Sequence, residues 1–266
     1  MSETGDLVMA PQRPTLRALG TRDIIAALRG GFSDFWRAPL VGLVLGGTIA
    51  VGGLVSLLAV VSWNMSWIAI MIAVVFPLIF PFLAAGLYET SRVLATGERP
   101  SVRGIIAAML RQRERQLGWM AFVVLFVFWV WVYQVRILLA LFFGFASANT
   151  GKFLLQIATT PAGWTFVAIG SLIGLCIALL LFAVTLISMP LLYETELDFV
   201  TAMILSVQTV AKSAPALVIG GMLATAVTVL AIVPGFLGLF IVVPVLGHAA
   251  WHLYRRSRTP LSAPTS

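Results

Sequence analysis

The chain alternates between short stretches with mixed character and long stretches that are almost wholly apolar. Six apolar runs stand out, at residues 40–61, 67–87, 117–138, 165–187, 216–233 and 236–253. A bilayer core about 30 Å thick takes roughly 20 residues of helix to cross, and every run falls in that range. None alternates apolar and polar residues in segments of about 10, the signature of a membrane barrel strand. The pattern predicts an all-α, polytopic membrane protein with six transmembrane helices.

Each pair of runs is preceded by a stretch of helical periodicity. In the first, Ile25, Leu28, Phe32 and Phe35 recur at three- and four-residue spacing, with Thr21 or Asp23 placed to cap. In the second, Ser101 precedes Val102, Ile105, Ile106 and Met109, and Arg111, Arg113 and Arg115 extend past them. In the third, Glu194, Glu196 and Asp198 lead into Val200, Met203, Ile204, Val207 and Val210. An apolar stripe with a polar back is the form of a helix lying at the membrane surface. Residues 197–212 are expected to lie flat on the inner leaflet.

The order amphipathic helix, span, span therefore recurs three times. It divides residues 21–256 into units 21–92, 97–193 and 197–256 of one membrane domain, three hairpins in all. Residues 1–20 and 257–266 read as disordered cytoplasmic ends. Leu87-Tyr88-Glu89-Thr90 closes the second run as Leu192-Tyr193-Glu194-Thr195 closes the fourth, and Ala38-Pro39 opens the first as Ala214-Pro215 opens the fifth. These fit a parallel repeat of the kind built into transporters. Pro234-Gly235 is a tight-turn dipeptide. The third and fourth runs are joined by a longer connection containing Asn149-Thr150-Gly151-Lys152, and its start, residues 138–145, fits either an extension of the third helix or a segment in the outer interface.

Charge orients this arrangement. Of the 17 lysines and arginines, only Arg136 and Lys152 fall on one side of the spans. The rest, including Arg13, Arg17, Arg22, Arg29 and Arg37 before the first run, fall on the other. By the positive-inside rule the basic side is cytoplasmic, which puts both termini inside. Ser2-Glu3-Thr4-Gly5-Asp6 is no basic start to a cleaved signal. Composition agrees: 60% hydrophobic and 10% charged residues, with a mean hydropathy of +1.03, lie far from the roughly 25% charge of a soluble domain. Cys176 alone excludes a disulfide scaffold. The net charge of +7 borders membrane segments, which excludes a nucleic-acid surface.

Residues Pro81 through Gly86-Leu87-Tyr88-Glu89 to Ser91-Arg92 resemble a known family, as do Met189-Pro190-Leu191-Leu192, Thr201-Ala202-Met203 with Ser206-Val207, and Pro244-Val245-Leu246-Gly247-His248-Ala249 with Trp251-His252-Leu253-Tyr254. The family comprises bacterial predicted integral membrane proteins grouped under domain of unknown function two-one-eight-nine. The resemblance runs from about Thr21 to Arg256. It implies a multi-span protein of the bacterial inner membrane with no assigned role, and it carries over no catalytic residue.

A cluster of candidate residues falls at the cytoplasmic ends of the spans: Tyr88, Glu89, Arg92, Tyr193, Glu194, His248, Trp251 and His252. His248 and His252 are four apart and share a helix face. With carboxylates at the same depth they can hold a divalent metal, or each can bond a carbonyl or carboxylate beside an aromatic belt of Trp251 and Tyr254. A boundary carboxylate such as Glu89 can start a proton path or bind a cation, or simply pair with Arg92. Arg136 is a charge within an apolar run, yet its place about 28 Å along the helix suits snorkelling to the outer interface. Pro77, Pro81 and Pro244 lie within spans, and Gly42 with Gly46, and Gly170 with Gly174, form small-residue contact faces. No nucleophile triad or phosphate loop is present.

These readings point to a non-enzymatic protein that contacts membrane lipids and serves as an accessory or assembly partner of a larger membrane complex. A small transporter or channel is the alternative, favoured by the repeat, the span prolines and Arg136 but opposed by the scarcity of polar groups at midspan. A metal- or haem-binding protein using His248 and His252 is the third reading. No metal, haem or other cofactor is expected.

Overall fold

The computed structural model describes residues 14–63, 65–112, 116–144 and 150–258. Arg13, Arg113, Arg115, Asn149 and the terminal stretches 1–13 and 259–266 lie outside the described residues. The rest is helical: α1 (Thr21–Arg37), α2 (Pro39–Val61), α3 (Ser66–Ala95), α4 (Val102–Arg111), α5 (Leu117–Phe143), α6 (Thr150–Thr159), α7 (Pro161–Thr185), α8 (Ser188–Glu194), α9 (Phe199–Lys212), α10 (Ala214–Ile232) and α11 (Leu239–Ser257). Five stretches of helix are long and apolar enough to cross a membrane: α2, α3, α5, the α7–α8 stretch and α10. The sixth run became α11, whose last turns carry His252, Arg255 and Arg256 and whose buried side packs on α1, α2 and α3. Residues 138–145 prove to extend the third helix as far as Phe143.

Local chemistry explains the ends of these helices. Ser101, Thr160 and Asp198 each accept a hydrogen bond from a backbone N–H in the first turn of the helix they precede, which satisfies one otherwise orphaned donor. The cap on Asp198 also holds its carboxyl below the usual range. Pro39, Pro161 and Pro215 stand in first turns, where the missing N–H costs nothing. Pro190 does the opposite. Its ring meets the carbonyl four residues back and it offers no N–H, so α7 stops at Thr185 and α8 restarts at Ser188. Ser206 of α9 repairs the break: its hydroxyl donates to the Ala183 carbonyl (2.6 Å) and accepts from the Ile187 N–H (3.1 Å).

The amphipathic helices turn mostly small residues inward and leave most of their large apolar residues facing outward, the orientation of helices that lie in a membrane surface. Ala27, Gly31, Asp34 and Phe35 of α1 are buried, while Ile25, Phe32 and Trp36 are exposed. In α9, Ala202, Ser206, Thr209 and Val210 face inward and Val200, Ile204 and Val207 outward. In α4, Ile105 and Ala108 face inward and Ile106 and Leu110 outward. The reason is physical. Lipid accepts large apolar side chains as readily as a protein core does, so helix contacts in a membrane select small residues that let backbones approach.

The backbones of α1 and α11 approach closely. A Cβ on Gly31 would stand 2.5 Å from the Val245 carbonyl oxygen and 2.7 Å from the Ala249 nitrogen. Gly42 and Gly46 of α2 admit Phe35 and Pro244 in the same way, and Gly170 and Gly174 of α7 meet Leu138 and Trp131 of α5 at ordinary contact distance. The first and third units are thus joined through α11. Residues 14–20, expected to be unstructured, run along its end: the Arg17 N–H donates to the Ser257 carbonyl (2.8 Å), the Leu19 N–H donates to the Ser213 hydroxyl (2.8 Å), and Leu16 bridges Arg258. Asp23 binds Arg17 in a two-point pair and accepts the Gly20 N–H, with Arg256 at 3.7 Å.

Two outcomes follow. Ser206→Ala strands the buried Ile187 N–H and is expected to cost about 1–3 kcal/mol, read as a lowered thermal midpoint in detergent with helicity unchanged. The Asp23 carboxyl is held down to about 2, mainly by the Arg17 hydrogen bonds. Its contribution to stability is therefore complete above about pH 4 and lost as the pH falls toward 2. An acid titration of the thermal midpoint should show this component in the parent chain and not in Asp23→Asn.

Candidate functional site

The ends of α3, α8 and α11 meet at one end of the bundle, beside α1, and bring together eight of the nine residues singled out from sequence. Tyr88, Tyr193 and Trp251 form a buried aromatic group, with Tyr254 against it. The Tyr88 and Trp251 rings stack with centroids 6.0 Å apart. Tyr193 meets both edge-on, at 6.2 and 6.0 Å, and Tyr254 lies 5.8 Å from Trp251. All four are nearly or fully buried.

Two carboxylates flank this group. Glu89 accepts two parallel bonds from Arg92, at 2.6 and 2.7 Å, and one from the Tyr193 hydroxyl at 2.5 Å. Glu194 accepts from the Tyr254 hydroxyl (2.5 Å), from Arg258 (2.6 Å) and from Arg255 (3.3 Å). The arrangement has an order. The tyrosine closing the second unit donates to the glutamate of the first, and the tyrosine closing the third donates to the glutamate of the second. A third link would run from Tyr88 to residue 255, but that residue is Arg255, which has no acceptor. The Tyr88 hydroxyl has no hydrogen-bond partner among the described residues.

The histidines sit beside this cluster on a second network. His252 Nε2 lies 2.7 Å from the carboxylate of Asp34, a buried residue of α1. His248 is fully buried, with Nδ1 3.1 Å from the Leu87 carbonyl and 2.9 Å from the Ser91 hydroxyl. A carbonyl only accepts, so Nδ1 carries the proton. His248 Nε2 then faces inward as a bare acceptor without a partner. Burial pushes the Asp34 carboxyl up, but hydrogen bonds from His252 and Ser91 outweigh it and leave the group below its ordinary range. The two histidines share a helix face yet serve different neighbours, His248 on α3 and His252 on α1. Among the described residues, no three His, Cys, Asp or Glu side chains are placed to hold one metal ion.

Arg136, the ninth residue, stands apart, exposed on α5. Sequence reasoning did not assign to the site Asp34, Ser91 or the three donors to Glu194, which are Tyr254, Arg255 and Arg258. A signal for the last group was present: Leu253-Tyr254-Arg255-Arg256-Ser257-Arg258 repeats the Leu-Tyr-x-x-Ser-Arg spacing of residues 87–92. Asp34 had no comparable signal.

An all-helical bundle with several membrane-length apolar helices, its polar groups gathered at one end, defines the chain as an integral membrane protein. Residues 68–194 match the family described as predicted integral membrane protein (DUF2189), whose function is unknown. The match is narrower than the stretch over which the resemblance was read: it holds Tyr88, Glu89, Arg92, Tyr193 and Glu194, while Asp34, His248, Trp251 and His252 lie outside it. No curated protein and no solved structure matches the chain.

Tyr193→Phe and Tyr254→Phe each remove one donor, from buried Glu89 and from partly buried Glu194, without changing shape, and are expected to cost about 1–2 kcal/mol apiece in unfolding measurements. For His248 the bonded nitrogen decides the tolerated replacement. An asparagine amide nitrogen falls where Nδ1 sits, whereas that of glutamine falls nearer Nε2. His248→Asn should therefore be the more stable variant, by about 1 kcal/mol. The reverse order would mean that Nε2 holds the structural bond.

Proposed function

We propose that this is a non-enzymatic protein of the bacterial inner membrane that acts as an accessory or assembly partner of a larger membrane complex. One observation carries the reading: most polar groups of the candidate site are consumed by one another. Glu89, Glu194 and Asp34 are each held by the arginines, tyrosines and histidine around them. A solute pathway needs polar groups free to exchange partners along the spans, and the large cavities among the helices are lined almost wholly by apolar side chains. The spans instead offer surface: the apolar stretch of α7 has no buried residue, and α5 and α10 bury few.

In this reading α11 serves as a sixth span, the three units form three hairpins, and both termini face the cytoplasm. The pairing of residues 14–20 with the end of α11 supports a common side for the two ends.

The test uses a photo-crosslinking amino acid at Leu172 or Leu180, both exposed on α7. A protein partner would yield one adduct of defined mass in living cells, dependent on the position of the probe. Adducts with lipid alone at both positions would contradict the accessory role. A reporter fused after Ser266 should be active only in its cytoplasmic form, and periplasmic activity there would overturn the topology.

A further inference from the structure

We propose that the central cavity of the bundle holds one acyl chain of a membrane phospholipid, its ester carbonyl accepting a hydrogen bond from the Tyr88 hydroxyl. The cavity, about 390 Å³, lies between α1, α2, α3, α7, α10 and α11, within the roughly 300–1,000 Å³ of small-ligand sites. It adjoins a second cavity of about 410 Å³, with which it shares Ile49, Phe80, Leu83, Thr228 and Val243. The joined space runs along α3 from the level of Tyr88 to that of Ala73, about 22 Å at 1.5 Å per residue. That is longer than one leaflet of a core about 30 Å thick. So long an apolar space fits an extended chain.

The polar groups name the other end of the occupant. Three residues that carry side-chain hydroxyls line the first cavity: Tyr88, Thr185 and Thr228. The threonines are already committed, donating to the Leu181 and Ala224 carbonyls of their own helices. The Tyr88 hydroxyl, without a hydrogen-bond partner among the described residues, is left by the missing third link of the tyrosine–glutamate series. A hydroxyl held against an apolar cavity without a bond is unfavourable, and an amphiphile with one acceptor at the head of a long apolar chain supplies the missing partner. On the bilayer side the wall of the cavity is formed by α7 and α10, both bare to the outside, which touch through Phe182 and Gly221.

The experiment is native mass spectrometry of the full chain, delipidated in mild detergent and then given dioleoyl phosphatidylglycerol. The parent chain should carry one lipid per protein. Ala224→Phe, which fills the cavity from α10, should carry none at unchanged helix content. Tyr88→Phe loses only a hydroxyl that bonds nothing in the protein, so it should fold normally and bind roughly fivefold more weakly, as loss of one hydrogen bond implies. No adduct on the parent chain, or an adduct undiminished in both variants, would overturn the proposal. A parent-like affinity in Tyr88→Phe would overturn the assignment of the carbonyl to Tyr88. Co-purification of a prenyl quinone in place of an acyl lipid would overturn the class of occupant.

Discussion

Burying a carboxylate is tolerable only where it is paired and hydrogen-bonded, and this constraint organises the end of the bundle. Glu89 and Glu194 follow tyrosines that close spans, and each is completed by an arginine and by the tyrosine of the next unit. The carboxylates cannot be satisfied within their own helices alone. The units must be brought together, and the same bonds that neutralise the charges fix the order in which the units meet. The aromatic rings of Tyr88, Tyr193, Trp251 and Tyr254 pack beside those bonds, while the arginines reach out to the exposed side.

Closure at this end depends equally on what is absent. Glycines at positions 31, 42 and 46 let α11 press against α1 and α2 at distances that a Cβ would forbid. That approach carries His248 to the Leu87 carbonyl and His252 to Asp34. Small residues inside and large apolar residues outside are the consequence of a solvent that is itself apolar. The same sequence periodicity would have the opposite orientation in water.

Much of the architecture was legible because length and hydropathy report directly on bilayer thickness. The spans, the Ser101 and Asp198 caps, the proline starts and the Pro234-Gly235 turn were all local signals. So was the Leu-Tyr-Glu-Thr pairing that led to Tyr88, Glu89, Tyr193 and Glu194. What was not legible depended on contacts between distant segments. Asp34 is an ordinary polar residue on its own helix until α11 places His252 against it.

The central claim is that tyrosine–glutamate bonds between successive units hold the site together, and a double-mutant cycle on Tyr193 and Glu89 tests it most directly. Unfolding free energies of the parent chain, Tyr193→Phe, Glu89→Gln and the double variant should differ from additivity by about 1–2 kcal/mol. Additivity to within about 0.5 kcal/mol would show that the two side chains are neighbours without being coupled, and would contradict the account.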